Sequence, residues 1–324
     1  MPMILRPVPD LRERVWGGRR LGPPRGLPIG EAWVAGPSNL IADGPDAGRT
    51  LAEIAARDSA AFVGRNACER TGDRFPLLVK LLDPAAWLSI QVHPDDETAQ
   101  ALEGPEAMGK AEAWYVLEAA PDAELIVGVH GHIGRAAVRT AIATGHGSLV
   151  PLLARHRARA GDGVAVPAGT LHAAGPGVFL YEVQQPSDLT YRCDDWGRPP
   201  TPGRPLHIAQ ALASVRPASR PRLRAVPNAD RATVVSCEHF VLERLTVGQD
   251  RPAVLDPGGA SLHVLTAIDG PVRILPVAPA GGGWSPRPDP IVLGPLETAV
   301  VPADAAAYSI DAPGGARVLL AWVP

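Results

Sequence analysis

The sequence predicts a mainly β chain, two jelly-roll domains with a few peripheral helices, and three observations carry that reading. Glycine and proline are abundant, at 34 and 36 residues. Short apolar runs recur between these turn formers, several of them alternating apolar with polar residues as half-buried strands do. At 324 residues the chain is long enough for two moderate domains, each with its own core.

Three segments interrupt the β pattern as helices. Thr50 to Ala56 opens with Thr50-x-x-Glu53, in which side chain and backbone can cap one another reciprocally. Arg135 to Ala143 and Leu206 to Ser214 carry apolar residues at helical spacing. Each is expected to pack around a barrel rather than to do chemistry. Between Val215 and Val226 the run Arg216-Pro217-Ala218-Ser219-Arg220-Pro221-Arg222 has the composition of a linker. It divides a metal-binding catalytic domain with inserted helices, residues 1–220, from a smaller C-terminal β-sandwich, residues 221–324. The latter contains the alternating segments Phe240 to Val247, Ser261 to Ile268 and Ala316 to Val323. Its His239 and His263 have no ligand partner at strand spacing and are expected to be structural or surface residues. Pro276 to Pro290 is Gly/Pro-rich and is expected to be a loop.

Composition excludes several classes of function. A formal net charge of -3 gives no reason to expect nucleic acid or an acidic membrane surface as a partner. The start Met1-Pro2-Met3-Ile4-Leu5-Arg6 does not read as a signal peptide, and no apolar run reaches spanning length, so a cytoplasmic enzyme, monomer or homodimer, is expected. Cys68, Cys193 and Cys237 are too few and too scattered for a disulfide framework or a Cys-x-x-Cys zinc site. Of the 31 lysines and arginines, only Lys80 and Lys110 are lysines. Both flank the residues that follow.

Gln91 and His93 lie two apart in the apolar run Trp87-Leu88-Ser89-Ile90-Gln91-Val92-His93, so a strand sends both side chains, and Ser89, to one face. Lys110 and Glu112 are likewise two apart, leading into Ala113-Trp114-Tyr115-Val116-Leu117. A third segment reads Gly161-x5-Pro167-x-Gly169-x2-His172, in which turn residues leave a histidine at a strand end. Two imidazoles with an amide and a carboxylate form a mixed N/O donor set that suits Zn²⁺, and Mn²⁺, Fe²⁺ or Co²⁺ also fit. His130-Gly131-His132 is a competing H-x-H, but no acidic residue follows it closely, and it is expected to be a loop.

The third segment holds the spacing of the second cupin motif, which makes the expected domains cupin-like jelly rolls. Together with Val15-Trp16-Gly17-Gly18, Gly30-Glu31-Ala32-Trp33, Arg74 to Lys80, Ser89 to Asp96, Gly109 to Tyr115, Pro167 to His172 and Thr190 to Arg198, the chain resembles the type I mannose-6-phosphate isomerases in their compact bacterial form. That resemblance implies a zinc-dependent aldose-ketose isomerase that interconverts mannose 6-phosphate and fructose 6-phosphate. It places one zinc on Gln91, His93, Glu112 and His172, and it puts Lys80, Lys110 and Arg192 around a hexose 6-phosphate. Ser89 and Trp114 are expected to bind substrate with Lys80. Arg192, Lys110 and Glu182 are the candidate catalytic groups. Lys110 or Glu182 is the base, and the face of Glu182 is either pocket or solvent. The sequence departs from the family pattern at Val34-Ala35-Gly36 and at Cys193-Asp194. A non-catalytic sugar-phosphate-binding cupin and another metal-dependent cupin enzyme, such as a dioxygenase, are the rival readings.

Overall fold

The computed structural model describes residues 4–23, 26–145, 147–199, 201–219, 221–277 and 290–324. They form two compact units. One comprises Leu11–Ala32 and Lys80–Ala225; the other comprises Trp33–Val79, Val226–Pro324 and the N-terminal residues to Asp10. The last crossing, at Ala225, falls in the linker-like stretch near the boundary expected at 220/221. The earlier crossings, at Asp10, Ala32 and Val79, run along strands, where no change of composition marks them.

The protein is mainly β. In the first half of the chain lie β1 (Asp10–Gly18), β2 (Ile29–Ala35), β3 (Leu78–Leu82), β4 (Ile90–Val92), β5 (Glu112–Ala119) and β6 (Glu124–Val129). They are followed by β7 (Leu153–Arg157), β8 (Asp162–Val166), β9 (His172–Ala174), β10 (Val178–Gln184), β11 (Tyr191–Asp194) and β12 (Arg224–Ala225). One sheet runs β1-β2-β3-β10-β5-β8-β12 and a second runs β11-β4-β9-β6-β7. Leu82, Trp114, Val116 and Leu180 of the first pack against Leu125, Val127 and Ala174 of the second in one apolar layer. This is the two-sheet burial expected of a jelly roll.

Register then sets the chemistry. Glu182 stands opposite Trp114, and Gln184 opposite Glu112. Gln91 stands opposite His172 on one side and Arg192 on the other.

The C-terminal strands are β13 (Arg231–Ser236), β14 (Val241–Val247), β15 (Ala253–Leu255), β16 (His263–Ala267) and β17 (Val272–Pro276). After them come β18 (Ile291–Leu293), β19 (Thr298–Val301), β20 (Tyr308–Asp311) and β21 (Ala316–Trp322). They build the sheets β13-β14-β21-β16-β19 and β15-β20-β17-β18, with Leu245, Leu265, Val318 and Leu320 packed on Val272, Ile274, Leu293 and Ile310. His263 is buried there with Nδ1 2.7 Å from the Tyr308 hydroxyl, and burial lowers its pKa to about 4. His239 sits beside Glu238 at 3.5 Å. Residues 278–289, the body of the expected Gly/Pro-rich loop, lie outside the described residues.

Six helices complete the described residues: α1 (Leu51–Arg57), α2 (Ser59–Phe62), α3 (Arg65–Thr71), α4 (Asp96–Glu103), α5 (Arg135–Thr144) and α6 (Ile208–Ser214). α1 starts as its sequence dictates: the Glu53 N–H donates to Thr50 Oγ1 at 3.1 Å, and the Thr50 N–H donates to Glu53 Oε2 at 2.7 Å. Thr50→Ala removes the Oγ1 acceptor and is expected to lower unfolding stability by about 1 kcal/mol, read from denaturant melts. α2, α3 and α4 lie outside the expected helices. Among the described residues, no helix is long and apolar enough to cross a membrane.

Candidate active site and metal centre

Three backbone contacts in the first unit bring the expected ligands together. The Gly169 N–H donates to the His93 carbonyl at 2.8 Å, and the Lys110 N–H donates to the Pro94 carbonyl at 3.0 Å. Gly109 packs so closely on the start of α4 that an added Cβ would stand 2.6 Å from the Asp96 nitrogen. Its own N–H donates to Asp96 Oδ1. The Gly-Lys turn is thereby locked beside His-Pro-Asp-Asp, and Gly169, at φ +81°, adopts a left-handed backbone that other residues strain to reach.

His93, Glu112 and His172 converge in a buried cluster able to hold a metal ion. His93 Nε2 lies 3.2 Å from Glu112 Oε2, and His172 Nε2 lies 3.3 Å from Glu112 Oε1. Each imidazole turns its Nδ1–H to a backbone carbonyl, His93 to Leu189 at 2.7 Å and His172 to Thr170 at 2.8 Å. Such bonds leave both Nε2 lone pairs aimed at the carboxylate. Burial pushes the His93 pKa down to about 3 and lowers that of His172, so both rings are neutral near pH 7. Burial opposes the Glu112 charge, but Lys110, 2.5 Å away, and the two histidines hold its carboxyl well below the ordinary range.

Glu112 Oε1 is buried without a hydrogen-bond partner among the described residues. A buried carboxylate oxygen that lacks a donor and lies 3.3 Å from an unprotonated imidazole nitrogen fits a cation, because no proton is shared between the two atoms. Gln91 completes the group, with its amide Nε2 3.2 Å from His172 Nε2 and its Oε1 accepting from Ser89 Oγ at 3.2 Å. Turning the amide over would present Oε1 to the cluster and let Nε2 donate to Ser89. Ser89 thus buttresses the amide, a role the sequence assigned instead to substrate contact.

Gln91 also lines a cavity of about 570 Å³, together with Lys80, Lys110, Glu182 and Arg192, among others. Glu182 faces this pocket. Trp114 Nε1 donates to its Oε2 at 2.7 Å, while Oε1 lies 3.6 Å from Lys80 Nζ and 3.9 Å from Lys110 Nζ. Burial, with Glu112 nearby, raises the Glu182 pKa. Trp114, expected at the substrate, is fully buried in the core and reaches the site through that one N–H. Lys110 Nζ also lies 3.0 Å from His93 Nε2.

Lys80 is surrounded by acids that its sequence context did not reveal. Burial works against its charge, but Asp188 at 2.9 Å, Glu31 and Glu182 raise its pKa above the ordinary value. Glu31 in turn takes a two-pronged bond from Arg14, at 2.9 and 3.1 Å. Arg192 enters from the other sheet, with Nη1 donating to the Pro205 carbonyl at 2.8 Å and a buried Nε that has no partner among the described residues. Arg204 and His207 also line the pocket. His130 and His132 lie elsewhere, exposed, with stacked rings 5.8 Å apart.

Comparison with known proteins agrees with this geometry. Residues 22–137 match the family model of the phosphomannose isomerase type I catalytic domain. A probable mannose-6-phosphate isomerase of Bacillus subtilis, GmuF, is 37% identical over 255 residues, 74% of this chain and 78% of that protein. The chain belongs to the type I phosphomannose isomerases. A second member of the family, ManA of the same bacterium, is 34% identical over 74% of this chain and 77% of its own. The crystal structure of a mannose 6-phosphate isomerase from Bacillus subtilis superposes with a TM-score of 0.81 at 27% identity, covering 98% of this chain and 99% of that one.

For a type I phosphomannose isomerase the two sequence departures are placed in the interior. Val34 and Ala35 are buried in β2. Cys193 packs with Ile90 and Tyr191 in the core, where burial pushes its thiol pKa up. The Asp194 carboxylate accepts from the Trp196 and Gly147 N–H groups, both at 2.7 Å.

Proposed function

We propose that this chain interconverts mannose 6-phosphate and fructose 6-phosphate through an enediol, using one zinc ion held by Gln91, His93, Glu112 and His172. The observation that carries this reading is Glu112 Oε1, buried beside the neutral His172 ring without a hydrogen-bond partner among the described residues, next to a pocket lined by Gln91, Lys110 and Glu182. Two imidazoles, an amide and a carboxylate form a donor set that zinc accepts. When bound, the ion would polarise the C1 and C2 oxygens of an open-chain sugar.

The residues of the chain supply the rest. Glu182 is the base: its Oε1 takes the proton from C2 of the aldose and returns it to C1, while the C2 hydroxyl proton passes to O1, which gives the ketose. Its raised pKa makes it the stronger acceptor. The Trp114 N–H pins the other oxygen and fixes the direction of approach. Lys110 is committed to Glu112 and His93, so it acts as a fixed cation rather than as the base. Lys80 is similarly matched by Asp188 and stabilises Glu182. We therefore assign the phosphate to Arg192, whose Nε is without a partner, rather than to Lys80.

The test is fructose 6-phosphate formation from mannose 6-phosphate before and after chelation. Turnover is expected to fall at least about 100-fold without metal and to return with Zn²⁺. Full activity after exhaustive chelation would remove the metal from the mechanism.

A further inference from the structure

His207 is bound to Arg192 in a way that leaves one of its own donors idle. The Arg192 backbone N–H donates to His207 Nδ1 at 3.2 Å, and the His207 backbone N–H donates to the Arg192 carbonyl at 2.8 Å. Because Nδ1 is the acceptor, a neutral ring carries its proton on Nε2. Burial, followed by the Arg192 charge, lowers the His207 pKa, which keeps the ring in that neutral form near pH 7. The Tyr191 ring, with its centroid 6.1 Å away, flanks the imidazole.

Nε2–H has no hydrogen-bond partner among the described residues, and the ring lines the pocket. Beside it stand the partnerless Nε of Arg192 and the guanidinium of Arg204, which Asp195 holds through bonds of 3.1 and 2.7 Å. Asp195 also takes Arg198 at 2.8 Å, so one carboxylate holds two arginines by direct bonds, while among the described residues Arg192 makes no direct ion pair. Positive charge and the idle Nε2–H of His207 therefore lie together where Arg192, Arg204 and His207 line the cavity. An anion with several acceptor oxygens satisfies them together.

We infer that His207 is an anion-binding residue of this pocket, donating Nε2–H to the phosphate of the substrate beside Arg192. The inference rests on the functional reading above for the identity of that phosphate. It adds a contact from a neutral side chain. In a neutral ring Nε2 can only donate, so the contact selects for an acceptor oxygen.

Two substitutions separate this contact from mere support of Arg192. In His207→Asn, Oδ1 takes the place of Nδ1 and still accepts from the Arg192 N–H, but nothing reaches the position of Nε2. In His207→Gln, the amide nitrogen reaches that position. His207→Asn is expected to raise both the KM for mannose 6-phosphate and the inhibition constant of inorganic phosphate about tenfold, with kcat changed far less. His207→Gln should bring both back to within about threefold of the parent.

Unchanged KM and unchanged phosphate inhibition in His207→Asn would overturn the inference, as would a loss of kcat alone in both variants. Direct titration of the parent and His207→Asn with inorganic phosphate reads the same contact without turnover. A parent chain that fails to isomerise mannose 6-phosphate but loses phosphate affinity on His207→Asn would refute the proposed reaction and keep the anion site.

Discussion

Glu112→Gln is expected to abolish isomerisation and metal retention together, with turnover down at least about 1000-fold. The carboxylate is the sole anion within the ligand cluster, and it also faces the Lys110 ammonium at 2.5 Å. Removing its charge leaves that ammonium buried without its partner, a change that costs about 3 to 5 kcal/mol. Glu112→Gln should therefore also melt at a lower temperature. Adding Lys110→Met removes the stranded charge, so the double variant should recover much of the stability and none of the activity. Elemental analysis and thermal melts of both variants check this, and stoichiometric zinc in active Glu112→Gln would refute the ligand assignment.

Glu182→Gln separates chemistry from stability in the opposite direction. With the base gone, kcat should fall by about 100-fold or more while zinc content is retained. The Glu182 carboxyl has its pKa raised on folding, mainly by burial. A raised acid binds more protons in the folded state, so its contribution to stability is present below the unfolded pKa and is lost as pH rises through the folded one. Above that raised pKa the parent chain bears the cost of a buried charge that glutamine does not impose. Glu182→Gln should melt no lower than the parent at pH 7. In the parent, activity should decline as pH falls through the raised pKa and the base becomes protonated. A variant with parental kcat would transfer the role of base elsewhere.

The ligand cluster was legible because its spacing is a strand property: two residues apart means one face, and Gln91-x-His93 obeys that rule whatever the tertiary context. The face of Glu182 was not legible, since all seven residues of β10 are buried and alternation carries no sign when both faces are covered. Trp114 illustrates the same limit, being an aromatic residue next to the site yet fully inside the core. Asp188, Glu31 and Arg14 were missed because their value lies in pairing across the β1-β2-β3-β10 neighbourhood, a long-range order that no local pattern encodes. α2 is a single turn of 4 residues, too short for a helical period to declare itself. The capping box at Thr50 was readable because it is wholly local.

The groups proposed for metal binding and catalysis are divided between the two packed sheets of the first unit. Lys80, Glu112 and Glu182 belong to the seven-stranded sheet, whereas Gln91, His172 and Arg192 belong to the five-stranded one. Neither sheet holds the chemistry alone, so the alignment of the site is also the alignment of one sheet over the other. The layer of Leu82, Val116, Leu125 and Val127 that sets this spacing therefore acts as a gauge for reactivity. A methylene gained or lost there is expected to shift Glu182 relative to Arg192 and so to change the rate, even at Val116, Leu125 and Val127, which do not line the pocket.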